Sequence, residues 1–156
     1  MAAAQQHFCY LAKSNSTVKK FKGKVYVGYS TDPDRRILEH NAGIHGGGAQ
    51  PTAGGEPWHL LLTVGPFPSK QEAMKFEWAW HFPQRSRRIK EIPYSTKAFY
   101  NKYKTPQYKQ AAHIHVLSLL LGASYWRRME QLHLDVRDVG VQDFIRHSYE
   151  YLQIFM

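Results

Sequence analysis

Five side chains in the first half of the chain could work on a phosphodiester, and their spacing says how. Arg36 and His40 are four residues apart, so on a helix both project from one face within reach of a common ligand. A phosphate suits them. A guanidinium donates two parallel hydrogen bonds to phosphate oxygens, and an imidazole donates, accepts or carries charge near neutral pH. The same spacing also describes an ordinary solvated helix face. Tyr10 and Tyr26 lie in two short apolar, aromatic segments; aromatic cross-strand pairs commonly stabilise sheets, so on their own the two tyrosines read as packing before proton transfer. Glu77 stands beside a helical apolar stripe of Ala73, Phe76 and Trp80. A carboxylate there needs a partner. A buried arginine would serve, as would a hard cation such as Mg²⁺ held by one carboxylate, waters and substrate phosphate.

The elements that must position these groups are legible in outline. Residues 8–12 and 24–30 are rich in aromatic and β-branched types and joined by a polar link containing Asn15 and Gly23, which predicts a β-hairpin. Alternation sends Val25, Val27 and Tyr29 to one face and Tyr26 to the other. Residues 58–64 contain three consecutive leucines, as expected of a strand covered on both faces. Between these strands Pro33, acidic Asp34, Asn41 and Gly43 mark the two ends of a short helix. Residues 44–57 hold five glycines and two prolines in fourteen positions, too many for a regular element, so a mobile loop is expected. Ser69 and Glu72 form a capping-box pair that opens a second helix, which Pro83 stops. A basic run over 85–90 leads through a Tyr- and Lys-rich link to about residue 107, and helices are expected over 108–122 and about 141–155.

Composition limits the function classes. At 156 residues one domain is the expectation. With 43% hydrophobic and 21% charged residues the chain is neither fibrous nor disordered. Its 21 Lys and Arg against 12 Asp and Glu give +9, with a pI near 9.7. A polyanionic partner is the leading reading of that balance. A lone cysteine, Cys9, excludes an intramolecular disulfide and any zinc site built on cysteine pairs. The first residues lack the basic and apolar regions of a signal peptide, and the longest apolar stretch is broken by Ser118 and Gly122, so neither secretion nor membrane spanning is expected.

Taken in order, Phe8-Cys9-Tyr10, Tyr26-Val27-Gly28, Arg36-x-x-x-His40-Asn41 and Glu77 within FEWAW resemble the motif set of the GIY-YIG nuclease superfamily. The segments RRILEHN, HGGGAQPT, Pro57-Trp58 and GPFPSKQEAMKFEWAWHFPQRSRR resemble, more narrowly, the catalytic subunits of eukaryotic SLX structure-selective endonucleases. That similarity is clear over residues 7–88 and weaker through HIHVLSLLLGASYWRRMEQLHLDV, where the family has helices. Two departures stand out. Phe8-Cys9 replaces Gly-Ile but keeps the tyrosine, and one cysteine cannot build the family's C-terminal RING-type zinc domain. The chain therefore reads as a short or shortened form.

The resemblance implies an α/β (α+β) fold: a small, mainly antiparallel three-stranded sheet flanked by helices. A nuclease core over 1–90 would carry a helical extension over 91–156 packed on it as one unit. It implies phosphodiester hydrolysis of branched DNA (flaps, replication forks, Holliday junctions) in nuclear repair and recombination, leaving 5′-phosphate and 3′-hydroxyl ends. Tyr10 would be the base, Tyr26 would orient the water or share that role, and Gly28 would allow close backbone approach. Arg36 would stabilise developing charge, His40 would position the phosphate or the tyrosine, and Glu77 would hold one Mg²⁺ or Mn²⁺. Lys24, Arg35, Lys70, Arg87 and Arg88 would contact DNA phosphates, which position without specifying sequence. Branched double-stranded DNA is the expected partner, and a scaffold subunit remains open although the RING-type domain that usually docks it is missing. An RNA-cutting enzyme of the same type and an inactive nucleic-acid-binding module are the alternatives.

Overall fold

A hairpin starts the chain in the computed structural model, which describes residues 4–89 and 106–156. β1 (His7–Ser14) and β2 (Val25–Ser30) pair antiparallel with Tyr10 opposite Gly28 and Ala12 opposite Tyr26. β3 (Trp58–Phe67) pairs antiparallel with the other edge of β1. Its register shifts between Leu11 and Ala12, which face Leu62 and Leu60, leaving Leu61 as the extra residue of a bulge. Leu61 and Leu62 consequently both enter the main core, while Leu60 packs on the other face. The leucine run is thus covered on both sides, as expected.

A fourth strand, β4 (His133–Val136), completes the antiparallel sheet in the order β2-β1-β3-β4. Three strands were expected, and residues 133–136 fell within a stretch read as helical. Four residues are too few to display a period of two. What makes them a strand is the otherwise unpaired edge of β3.

α1 (Pro33–Asn41) begins where Asp32 accepts a hydrogen bond from the Arg35 amide and Pro33 occupies the first turn. α2 (Lys70–His81) begins at Ser69, whose Oγ accepts from the Glu72 amide. The reciprocal half of the expected capping box is not made. The Glu72 carboxylate instead accepts from Tyr125 Oη at 2.7 Å and Lys75 Nζ at 3.1 Å, since a phenol from the C-terminal part competes for it. The Gly-rich segment carries two single 3₁₀ turns, Ile44–Gly46 and Gln50–Thr52.

The C-terminal part supplies α3 (Pro106–Gly122), α4 (Ser124–Arg127) and α5 (Val139–Ser148), followed by a 3₁₀ turn over Glu150–Phe155. One helix was expected over 141–155; Tyr149 leaves helical geometry at φ −139° and divides it. The Tyr- and Lys-rich link and Lys90 lie outside the described residues.

The two sheet faces differ in what they bury. One carries the large core of Cys9, Leu11, Val27 and Val64 against Phe76 and Trp80 of α2 and the leucines of α3. The other carries only Tyr10, Ala12, Ile37 and Trp58, with Tyr26 and Leu60 packed beside them. α1 and α2 thus lie on opposite faces, and the thin face holds both candidate tyrosines. Among the described residues no helix is long and apolar enough to cross a membrane.

Candidate active site

Tyr10 is fully buried, and its side chain lies across the backbone of the residue opposite it in β2. A Cβ at Gly28 would stand 2.4 Å from Tyr10 Oη and 2.5 Å from its Cζ, so only glycine admits this tyrosine rotamer without displacement. The close approach expected at Gly28 is made by the protein's own tyrosine. Cys9, the neighbour that replaces the family's isoleucine, points into the main core, where its thiol donates to the Ala73 carbonyl at 3.1 Å and ties β1 to α2.

His40 is also fully buried. Its Nε2 lies 2.7 Å from Tyr10 Oη, and its Nδ1 accepts from the Ala49 amide at 3.3 Å, with Thr52 Oγ1 at 3.1 Å. A backbone N–H can only donate, so Nδ1 carries the lone pair and Nε2 carries the proton. His40 therefore donates to Tyr10. Burial, helped by Arg36, holds the imidazole down at about 4, so it is neutral at physiological pH. A phosphate cannot touch a side chain sealed in this way. Of the two positions anticipated for His40, the structure gives the one against the tyrosine, and the shared Arg36–His40 phosphate ligand is not formed because α1 turns His40 inward.

Tyr26, partly exposed, closes the cluster, with ring centroids 6.2 Å from Tyr10, 5.3 Å from His40 and 6.4 Å from Trp58. Both tyrosines resist ionisation. Burial raises Tyr10 first, then repulsion from Tyr26, while Arg36 pulls it back. Burial also leads for Tyr26, followed by Glu77, and Arg36 again opposes. The charges of Arg36 and Glu77 thus act on both phenols, which brings four of the five candidates and His40 into one electrostatic unit.

Arg36 is partly exposed; its Nη1 donates to Glu39 Oε2 at 2.6 Å and to the Gly47 carbonyl at 2.7 Å. Partial burial opposes its charge, but the hydrogen bonds with Glu39 and Tyr10 outweigh it and raise its pKa. Arg36 lines a cavity of about 360 Å³ together with Arg35, Glu39 and Lys70. Glu77 lies on α2, across the sheet from α1. Among the described residues only His81 comes within ion-pair distance of it, at 3.6 Å, and no arginine does. A partly exposed carboxylate, without a strong cationic partner and with electrostatic reach to both tyrosines, fits a hard divalent ion. Among the described residues no three His, Cys, Asp or Glu side chains cluster, so Glu77 would be its protein ligand, with water and phosphate oxygens completing the shell.

The remaining cations are dispersed. Lys24 donates to the Pro51 carbonyl at 3.4 Å and sits over Phe21; Arg35 pairs with Glu39 at 3.3 Å. Lys70 stands over Tyr29 and borders both the Arg36 cavity and a groove along α2, and Arg87 and Arg88 line that groove. Sequence reasoning missed Thr52 and Glu39, and took Asn41 only as a helix end and a motif position. Asn41 accepts from the Trp58 amide at 2.5 Å and donates to its carbonyl at 3.0 Å, pinning α1 to β3. Nothing in a Gly-rich loop marks Thr52 as a partner of a residue twelve positions earlier.

The family model for the GIY-YIG catalytic domain matches residues 6–90, which span every residue of this cluster. The chain belongs to the GIY-YIG family. The chain is 40% identical over 116 residues to structure-specific endonuclease subunit slx1 of Xenopus laevis, covering 72% of this chain and 37% of that protein. The structure-specific endonuclease subunit SLX1 homolog of Drosophila ananassae is 36% identical over 130 residues, 81% of this chain and 42% of the relative. SLX1 of Mus musculus is 39% identical over 113 residues, 70% and 38% respectively. The chain thus spans well under half the length of these relatives.

Proposed function

We propose that this GIY-YIG domain is a divalent-metal-dependent, structure-selective endonuclease that hydrolyses the backbone of branched DNA to 5′-phosphate and 3′-hydroxyl ends. The observation that carries the reading is the convergence of Tyr10, Tyr26, Arg36 and His40, from three separate elements, on one cluster within the field of Glu77. The names of the relatives support the choice of a structure-selective enzyme. Work in the nucleus on repair and recombination intermediates, beside a scaffold subunit, belongs to the same reading.

Water attacks phosphorus in line with the 3′ oxygen, and Tyr10 takes its proton. To act as that base Tyr10 must already be a phenolate, which becomes a neutral phenol on taking the proton; His40 Nε2–H and Arg36 are the two donors directed at the phenolate, and they offset the cost of charging a buried phenol. Because Tyr10 is fully buried and Tyr26 partly exposed, the water enters past Tyr26, which orients it. Arg36 then meets the negative charge that grows on the phosphate. Glu77 would hold Mg²⁺ or Mn²⁺, which would supply positive charge to offset that of the departing oxygen.

Glu77→Gln tests the assignment, because it keeps size and hydrogen bonding but removes the charge. Wild type should cut a junction with Mg²⁺ or Mn²⁺ and stop with EDTA; the variant should fold, bind the junction and fail to cut. Cleavage by the folded variant at the wild-type rate sinks the role of Glu77. A wild-type chain that binds but never cuts is an inactive binding module.

A further inference from the structure

α2 is apolar on two faces. Ala73, Phe76, Ala79 and Trp80 are buried in the core, yet Met74, Trp78 and Phe82, one turn apart, are 41%, 43% and 39% exposed. A second apolar face on a soluble helix marks a binding surface more often than chance. Here it borders a groove of about 750 Å³ lined, among the described residues, by five cations, Lys70, Lys75, Arg85, Arg87 and Arg88, and by no carboxylate. The aromatic and cationic groups interleave: the rings of Trp78 and Phe82 are 5.8 Å apart, with the Arg85 guanidinium 5.8 Å from the first and 5.4 Å from the second. Trp126 adds a buried indole Nε1–H that has no acceptor among the described residues. Lys70 borders this groove and also the Arg36 cavity, so the two adjoin at that residue.

Planar rings spaced with guanidinium groups, in a groove of one charge sign that runs to the phosphate-handling end of the molecule, match an unpaired nucleic-acid strand. Each base has a π-face to stack and each phosphate needs a cation, whereas a duplex hides its bases. We propose that the outer face of α2 binds a single-stranded arm of the substrate, with bases stacked on Trp78 and Phe82 and phosphates on Lys70, Arg85, Arg87 and Arg88. The proposal rests on the nuclease reading for the identity of the substrate.

The molecule offers its own reporter. Trp58, Trp80 and Trp126 are 2%, 0% and 1% exposed, which leaves Trp78 as the tryptophan that a ligand can reach. The full chain is titrated in EDTA with an oligothymidylate of about 15 nucleotides and with a blunt duplex of equal length. The oligothymidylate should quench tryptophan emission. Trp78→Ala should weaken oligothymidylate binding roughly tenfold, within the range of one lost base stack, leave duplex binding within about twofold, and be rescued by Trp78→Phe. Should Trp78→Ala lower the melting temperature, Arg85→Ala takes its place with the same expected loss. Unquenched emission, or unchanged oligothymidylate affinity in a folded variant, overturns the proposal and leaves the aromatic face to a protein partner. Cleavage is scored separately with Mg²⁺. Strand binding without cleavage would sink the nuclease reading alone, and cleavage without quenching would sink this one alone.

Discussion

His40 holds the least negotiable place in the site. Its Nδ1 is committed to the Ala49 amide, so the only proton it holds when neutral points at Tyr10. Protonating it would put a charge into a fully buried position beside Arg36. With the folded pKa at about 4 against 6.5 for a free imidazole, the sign is fixed. The unfolded chain binds the proton first, so the stability His40 contributes is complete above 6.5 and drains as pH falls towards 4. At most about 3.5 kcal/mol is involved. The melting-temperature gap between wild type and His40→Gln should therefore narrow as the buffer is taken from neutral to pH about 4.5. A constant gap over that range would mean that His40 is not buried as a neutral ring.

Strand register decides where Tyr10 goes. β1 and β2 place it opposite Gly28, and the absent side chain there is the slot that its phenol occupies. Gly28→Ala leaves backbone φ unstrained but drives Cβ into a ring that His40 and Tyr26 hold from the other sides. Overpacking of this kind costs about 1–3 kcal/mol. The variant should melt lower and, with Tyr10 pushed off His40, should cleave far more slowly than its DNA affinity alone would predict. Wild-type melting and cleavage together would show that Tyr10 does not lie over Gly28. The loop after α1 acts in the same sense, because Gly47 holds Arg36 and Ala49 and Thr52 hold His40, although its glycines predicted only irregular backbone.

For the whole molecule, +9 sets the character of binding. Lys24, Arg35 and Lys70 lie on or near the tyrosine side, while Arg87 and Arg88 line the α2 groove. If about five phosphates are neutralised, log affinity for a junction should fall with log salt at a slope of roughly −4 to −5. Arg87→Ala with Arg88→Ala should flatten that slope by about 1 to 2 and weaken binding equally for sequences of one shape. Arg88 also lies 3.6 Å from the Tyr125 ring centre, so a melting curve must accompany the measurement. An affinity indifferent to salt would remove phosphate contact as the basis of binding.

Local chemistry is what the sequence determined. The hairpin, the α1 start at Pro33, the cap at Ser69 and the inward stripe of α2 all depend on neighbours within a few positions, where periodicity and capping act, while the ordered set Tyr10, Tyr26, Arg36, His40 and Glu77 was legible through the family resemblance. Tertiary structure decided the rest. Residues 133–136 became a strand because β3 offered an unpaired edge, and Glu72 left the capping box because Tyr125, 53 residues away, reached it. Of the two positions open to it, beside a phosphate or beside the tyrosine, His40 takes the one beside the tyrosine for the same kind of reason. Its side-chain partners come from β1 and a glycine-rich loop, and burial, a property of the assembled molecule, fixed its charge.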